Sequence, residues 1–190
     1  MLGIADEITN LVHTVFGLAL QPGVLREEAG EPDGRLFTFA ESCTAGLVAA
    51  TLASVPGASR VFPGSLVTYS DRSKIERLNV TPETIARHGA VSAQCAVEMA
   101  WGVRRVFGTR LAVGVTGIAG PDGGSPEKPV GTVWFALVRE GGAICVRKGS
   151  YIGRERNDVR LRAVRGALRL LAKGLYDLHA SPEAKLSGGA

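Results

Sequence analysis

Three short polar segments, each at the abrupt end of an apolar run, hold side chains able to do covalent chemistry. Glu41-Ser42-Cys43-Thr44 follows 36–40, Tyr69-Ser70-Asp71 closes 65–69 with Lys74 just beyond, and Thr116 through Gly124 follows 111–115. Ser42 stands between an apolar run and a helix-forming one, where free backbone N–H groups can hold an anion or a developing oxyanion. The plainer alternative is a helix cap made by Ser42 or Thr44. Cys43 is a rival nucleophile, since a helix start lowers a thiol pKa. Cysteine is also among the most often buried residue types, and burial is the reading favoured here. A serine hydroxyl needs a base. The chain has only His13, His88 and His179, on the opening helix, at a helix end and near the tail. Lysine or tyrosine must then serve, and Lys74 lies five residues after Tyr69. A lysine acts as a base only when burial or neighbouring cations depress its pKa; otherwise Lys74 is a surface residue on a short helix.

The 116–131 stretch contains Gly117, Gly120, Gly123 and Gly124 and no GxxxxGK[ST], so it is not a P-loop. Its glycines allow close backbone approach to a ligand, and a structureless run of this length in a compact domain usually signals function. Lys128 within it meets either a phosphate or solvent. Arg154, Arg156, Arg160, Arg162, Arg165, Arg169 and Lys173 crowd the last helix, mostly as a solvated basic face; an arginine at the helix start is a candidate phosphate contact. No His/Cys spacing suits zinc, and no carboxylate cluster suits another metal, so neither metal nor cofactor is expected.

The elements that would position these groups alternate in type. Ile4, Ile8, Leu11, Val12 and Val15 predict an opening helix, and 21–35 reads as a loop. Strands are predicted at 36–40, 65–69, 111–115, 132–138 and 143–149, the last two as a hairpin across Glu140-Gly141-Gly142. Helices are predicted from Thr44 to the Pro56-Gly57 break, over 71–78, from Pro82, from Ser92 to Gly108 and over 157–176. The pattern predicts an α/β three-layer sandwich with a mixed, mostly parallel sheet and helices on both faces, as one domain over 1–178 with its core at 36–176. Residues 179–190 read as a disordered tail. In such a sheet ligands bind beyond the carboxyl ends of the strands, where the three polar segments converge.

Composition sets bounds. The 190 residues carry a formal charge of +4, suited to a small anionic substrate and too mild to argue for nucleic acid. Aromatics make up 6 %, few stacking platforms for bases. Three cysteines without a CxxC pair point to a reducing, cytoplasmic setting. The first twenty residues lack the basic start and the cleavage site of a signal peptide, and no run reaches membrane-spanning length.

Four segments in order, AESCTAG (40–46), VTYSDRSK (67–74), HGAVS (88–92) and TGIAGPDGGSPEKPVGTVWFA (116–136), resemble the CinA C-terminal domain family, the nicotinamide-nucleotide amidases that also form the C-terminal half of competence-damage-inducible proteins. The likeness spans about 36–176. It implies hydrolysis of nicotinamide mononucleotide to nicotinic acid mononucleotide and ammonia in NAD recycling, without a metal. It places the nucleophile at Ser42, with help from Tyr69 and Lys74, and adds Thr116 to the catalytic set. Glu41, Thr44, Gly46, Gly117, Gly120, Gly123 and Arg156 are expected to line the substrate, with Arg154 as the rival to Arg156. The expected chemistry has Lys74, kept neutral with help from Tyr69, accept the Ser42 proton, while N–H groups near Ser42 steady the oxyanion. The family makes a homo-oligomer, a dimer, an expectation. Two departures stand out: Ala45 replaces the first of two glycines after ESCT, and Gly153-Arg154-Glu155-Arg156 is one residue longer than the usual Gly-Asp-Arg. A non-catalytic nucleotide-binding module of the same fold is the alternative function, and a nucleic-acid-associated protein a more distant third.

Overall fold

The computed structural model describes residues 3–22, 24–25, 27–28 and 31–180. The chain opens with α1 (Ile4–Ala19), passes a small antiparallel ribbon of β1 (Glu27–Glu28) and β2 (Glu31–Pro32), and enters the sheet at β3 (Phe37–Glu41). Then come α2 (Leu47–Ala53), β4 (Ser65–Val67), α3 (Asp71–Leu78), α4 (Pro82–His88), α5 (Ala93–Phe107), β5 (Leu111–Gly117), β6 (Thr132–Arg139), β7 (Ile144–Ser150) and α6 (Arg156–Ala180). The segment read as a loop at 21–35 therefore contains the ribbon, and the last helix is longer than expected at both ends. It includes His179 and Ala180, expected to belong to a tail; residues 181–190 lie outside the described ones.

The five main strands lie in the order β4-β3-β5-β6-β7. The three on the β4 side run parallel, and β6 and β7 add an antiparallel hairpin. Helices cover both faces, which is the α/β sandwich expected. The two faces differ in residue size because strand side chains alternate. One face presents Phe37, Phe39, Val113, Val115, Phe135 and Leu137 to α1, α2 and α6. The other presents Ala40, Ala112 and Ala136, with Gly114 in the same layer, to α5. Small residues let α5 lie close on the sheet. A Cβ at Gly114 would collide with the Ala96 carbonyl oxygen of α5 and come within 3.0 Å of Ala100 N.

Register then collects the site. Glu41 pairs with Val67 of β4 and with Val115 of β5, so all three parallel strands end at one level. The segments beginning at Ser42 and Thr68 leave the sheet side by side, while β5 runs two residues further, through Thr116 and Gly117 paired with β6, at the edge where such sheets bind ligands. Among the described residues, no helix is long and apolar enough to cross a membrane.

Because α5 has no room to retreat from β5, Gly114→Ala is expected to destabilise by about 1–3 kcal/mol, the usual cost of overpacking. A urea midpoint equal to that of the wild type would contradict the close approach.

Candidate active site

The turn between β3 and α2 carries the nucleophile candidate. The helix does not begin at Thr44 as the sequence suggests, because Ala45 (φ 52°) and Gly46 (φ 88°) are both left-handed and delay it to Leu47. Beneath the turn lies Glu41, fully buried. Its carboxylate accepts from Gly46 N at 3.0 Å, Val48 N at 3.1 Å and Ala49 N at 2.9 Å, and from Ser65 Oγ at 3.2 Å. An anion meeting the N-terminal N–H groups of a helix is a favourable pairing. Glu41, expected to line the substrate, thus caps α2 and ties it to β4, with both oxygens engaged beneath the turn. The Gly46 N–H is likewise committed to Glu41.

Lys74 projects from α3, which Ser70 caps by accepting from Ser73 N at 3.1 Å. Lys74 and Leu78 are one turn apart and form the buried face of the helix. The lysine side chain is only 1 % exposed. Its Nζ lies 3.0 Å from Ser42 Oγ, 3.0 Å from the Thr68 carbonyl and 3.1 Å from the Tyr69 carbonyl. Burial pushes the Lys74 pKa below the usual lysine value, against smaller opposing influences from Cys95, Asp71 and Cys43. Nζ donates towards all three oxygens; once neutral, the amine can keep its two N–H bonds to the carbonyls and turn its lone pair to the Ser42 hydroxyl.

Both nearby thiols are inert. Cys43 and Cys95 are buried, and burial pushes each pKa up to about 12. A thiol held that high is protonated at neutral pH, so Cys43 is poorly suited to be the nucleophile.

Tyr69 occupies a different place from the one expected. Its side chain is 56 % exposed, and its phenol oxygen accepts from Arg156 Nη2 at 2.8 Å. Its carbonyl is the atom that meets Lys74, while the phenol lies with Arg156. Arg156, at the start of α6, also donates from Nη1 to the Gly120 carbonyl and so links Tyr69 to the glycine-rich loop. Arg154, its rival, lies just before α6 and pairs with Asp158 in the first turn of the helix at 3.7 Å.

Thr116 is buried and donates to the Ala90 carbonyl at 2.8 Å. Its proton is thus committed to the loop before α5, and its oxygen is left as an acceptor. The loop glycines serve packing first. A Cβ on Gly117 would approach Thr132 O within 2.8 Å, and one on Gly120 would approach Val130 Cγ1 within 2.5 Å. Gly123 is exposed on the loop. Lys128 donates to the His88 carbonyl at the end of α4, so it anchors the loop to a helix C-terminus.

By its sequence Arg160 belongs to the basic face of the last helix. In the structure its Nη2 donates to the Thr44 carbonyl at 3.0 Å. The spacing of four from Arg156 is the signal that places both on one side of α6. Thr44 itself is fully buried, and its hydroxyl has no partner among the described residues. Those residues contain no group of three His, Cys, Asp or Glu able to hold a metal.

Ala45 is a non-glycine residue held left-handed, which costs roughly 1–2 kcal/mol. Ala45→Gly is therefore expected to raise unfolding stability by about 1 kcal/mol. Denaturant titration checks this, and a loss of stability would mean that Ala45 is not strained.

The family model for the CinA C-terminal domain matches residues 28–175. A CinA-like protein of Dictyoglomus thermophilum is 48 % identical over 142 residues, covering 75 % of this chain and 34 % of its own length. A CinA-like protein of Mycobacterium tuberculosis is 45 % identical over 149 residues, covering 78 % of this chain and 34 % of its own. The chain thus spans about a third of the length of these curated relatives. Among solved structures, the competence/damage inducible protein CihA of Agrobacterium tumefaciens superposes with a TM-score of 0.79 at 37 % identity, covering 90 % of this chain and 96 % of that one. The competence damage-inducible protein A of Klebsiella pneumoniae gives 0.78 at 34 %, covering 89 % and 97 %. The chain belongs to the CinA C-terminal domain family.

Proposed function

We propose that the chain is an amidohydrolase that converts the carboxamide of nicotinamide mononucleotide into a carboxylate and ammonia, with Ser42 as nucleophile and Lys74 as base. The observation that carries this reading is the buried Lys74 amine 3.0 Å from Ser42 Oγ. A hydroxyl next to a desolvated amine is activated without histidine.

Lys74 takes the Ser42 proton as Oγ attacks the amide carbon. The resulting oxyanion needs donors. Between Ser42 and Ala49 most backbone N–H groups are engaged: Ser42 with Val115 O, Ala45 with Ser42 O, Leu47 with Thr44 O, and Gly46, Val48 and Ala49 with Glu41. Those of Thr44 and Cys43 make no bond to another described residue, and they are the natural oxyanion donors. Lys74, now an ammonium, returns its proton to the leaving nitrogen, and the C–N bond breaks to release ammonia. Water, deprotonated by the same amine, then attacks the acyl carbon and frees the carboxylate and Ser42.

Arg156 keeps guanidinium N–H groups beyond those given to Tyr69 and Gly120, so it can bind the substrate phosphate at the cleft rim. The exposed Tyr69 ring beside it offers a face to the pyridine.

Ser42→Ala is expected to abolish ammonia release while the fold survives, and Lys74→Met to lower kcat by about 10²–10⁴-fold. Full activity in either variant defeats the assignment. The base must be neutral, so kcat/KM rises with pH through the Lys74 pKa, and burial sets that midpoint below the ordinary lysine value. A midpoint at the ordinary value would separate Lys74 from the chemistry. Arg156→Met should raise KM for nicotinamide mononucleotide and spare nicotinamide riboside; equal wild-type turnover of mononucleotide, riboside and free nicotinamide would remove the phosphate role.

A further inference from the structure

Behind the nucleophile turn stands a cation to which the proposed reaction gives no role. Arg160 is half-buried on α6, one turn after Arg156. Its Nη2 donates to the Thr44 carbonyl at 3.0 Å and its Nη1 to Asn157 Oδ1 at 3.3 Å, while its buried Nε has no partner among the described residues. Both bonds go to neutral oxygens, so neither cancels the charge of the guanidinium. That charge rests against the Thr44 carbonyl, two residues along the chain from Ser42, in a half-buried setting where it acts more strongly than in water. Its field reaches the turn: beside the dominant effect of burial, Arg160 pulls the Cys43 thiol pKa down slightly.

The turn needs such a hold. Ala45 is left-handed, and its N–H bonds back to Ser42 O at 3.0 Å. Glu41 fixes only the residues from Gly46 onward. The Thr44 carbonyl accepts from Leu47 N at 3.2 Å and from Arg160, so it is fixed from two sides. The carbonyl lies in the Thr44–Ala45 peptide plane, one φ/ψ pair from the Thr44 N–H and two from the Cys43 N–H, so holding it narrows the directions those groups can take.

We propose that Arg160 is a positioning residue for acyl transfer: it anchors the Thr44 carbonyl so that the Cys43 and Thr44 N–H groups face the developing oxyanion, and its charge favours the negative oxygen there. The inference rests on reading Ser42 as the nucleophile, and it does not depend on which carboxamide is the substrate. Arg160 donates to the backbone of the turn, and Arg156 is the residue at the cleft rim.

Two variants and two readouts test it. Arg160→Met removes the charge and the donors, and Arg160→Lys keeps the charge and one donor. With nicotinamide mononucleotide, R160M is expected to lower kcat roughly 10-fold or more with KM nearly unchanged, because the interaction strengthens in the transition state. R160K is expected to recover part of the loss, and it carries the test if R160M fails to fold. The midpoint of the rise of kcat/KM with pH stays where Lys74 sets it, which a general disturbance of the site would move. In parallel, the rate at which a fluorophosphonate labels Ser42 should fall in R160M, since that reaction also places negative charge on an oxygen at the turn. Unchanged kcat and labelling, or a loss confined to KM, overturns the inference. If the wild type labels at Ser42 but releases no ammonia, the substrate reading falls, and the labelling ratio alone decides on Arg160. A wild type that neither labels nor releases ammonia overturns both.

Discussion

A primary amine held out of water against a serine hydroxyl is the arrangement on which the rest of this structure turns. Burying Lys74 as an ammonium would cost several kcal/mol of desolvation even with good partners. The neutral form avoids most of that cost and leaves a lone pair for the Ser42 proton. The carbonyls of Thr68 and Tyr69 orient the nitrogen, and both leave β4 at the level where β3 releases Ser42. Strand register, helix face and burial therefore act together: a shift of β4 against β3 by one residue would move the carbonyls away from the amine.

Charge around the site is sorted by depth. Glu41 lies beneath the turn, and its negative charge is met by three N–H groups of α2 and one hydroxyl. Arg160 stands behind the turn and Arg156 at the rim, both from the first turns of α6. The turn thus has cations near it on α6, while the carboxylate beneath it is met by its own N–H and hydroxyl partners. The same α6 face that binds the sheet core through Val159, Ala163 and Val164 brings both arginines to the strand ends. One long helix serves packing and chemistry because its residues repeat at a spacing of three to four.

The glycine-rich loop shows how one composition can serve two ends. Its glycines suggest an approach to phosphate, yet Gly117 and Gly120 are required by β6 and Val130. Lys128 anchors the loop on α4, and the Gly120 carbonyl receives Arg156. The loop's first service is to hold its own shape and to steer an arginine.

Much of this was legible in the residues. Apolar runs of strand length, helical spacing and the Ser70, Thr81 and Ser92 caps determined the order of elements. The polar stops after three of those strands marked a candidate site, and the scarcity of histidine left lysine or tyrosine as the base, of which the family resemblance named Lys74. Local patterns carry that information because periodicity and capping act over a few residues. The tasks of Glu41, Tyr69, Thr116 and Arg160 were not legible. Each is set by a partner 5 to 116 residues away: Gly46 for Glu41, Arg156 for Tyr69, Ala90 for Thr116 and Thr44 for Arg160. The state of Lys74 likewise depends on water being excluded by α5 and the sheet, and solvent exclusion exists only once the chain has closed around the amine.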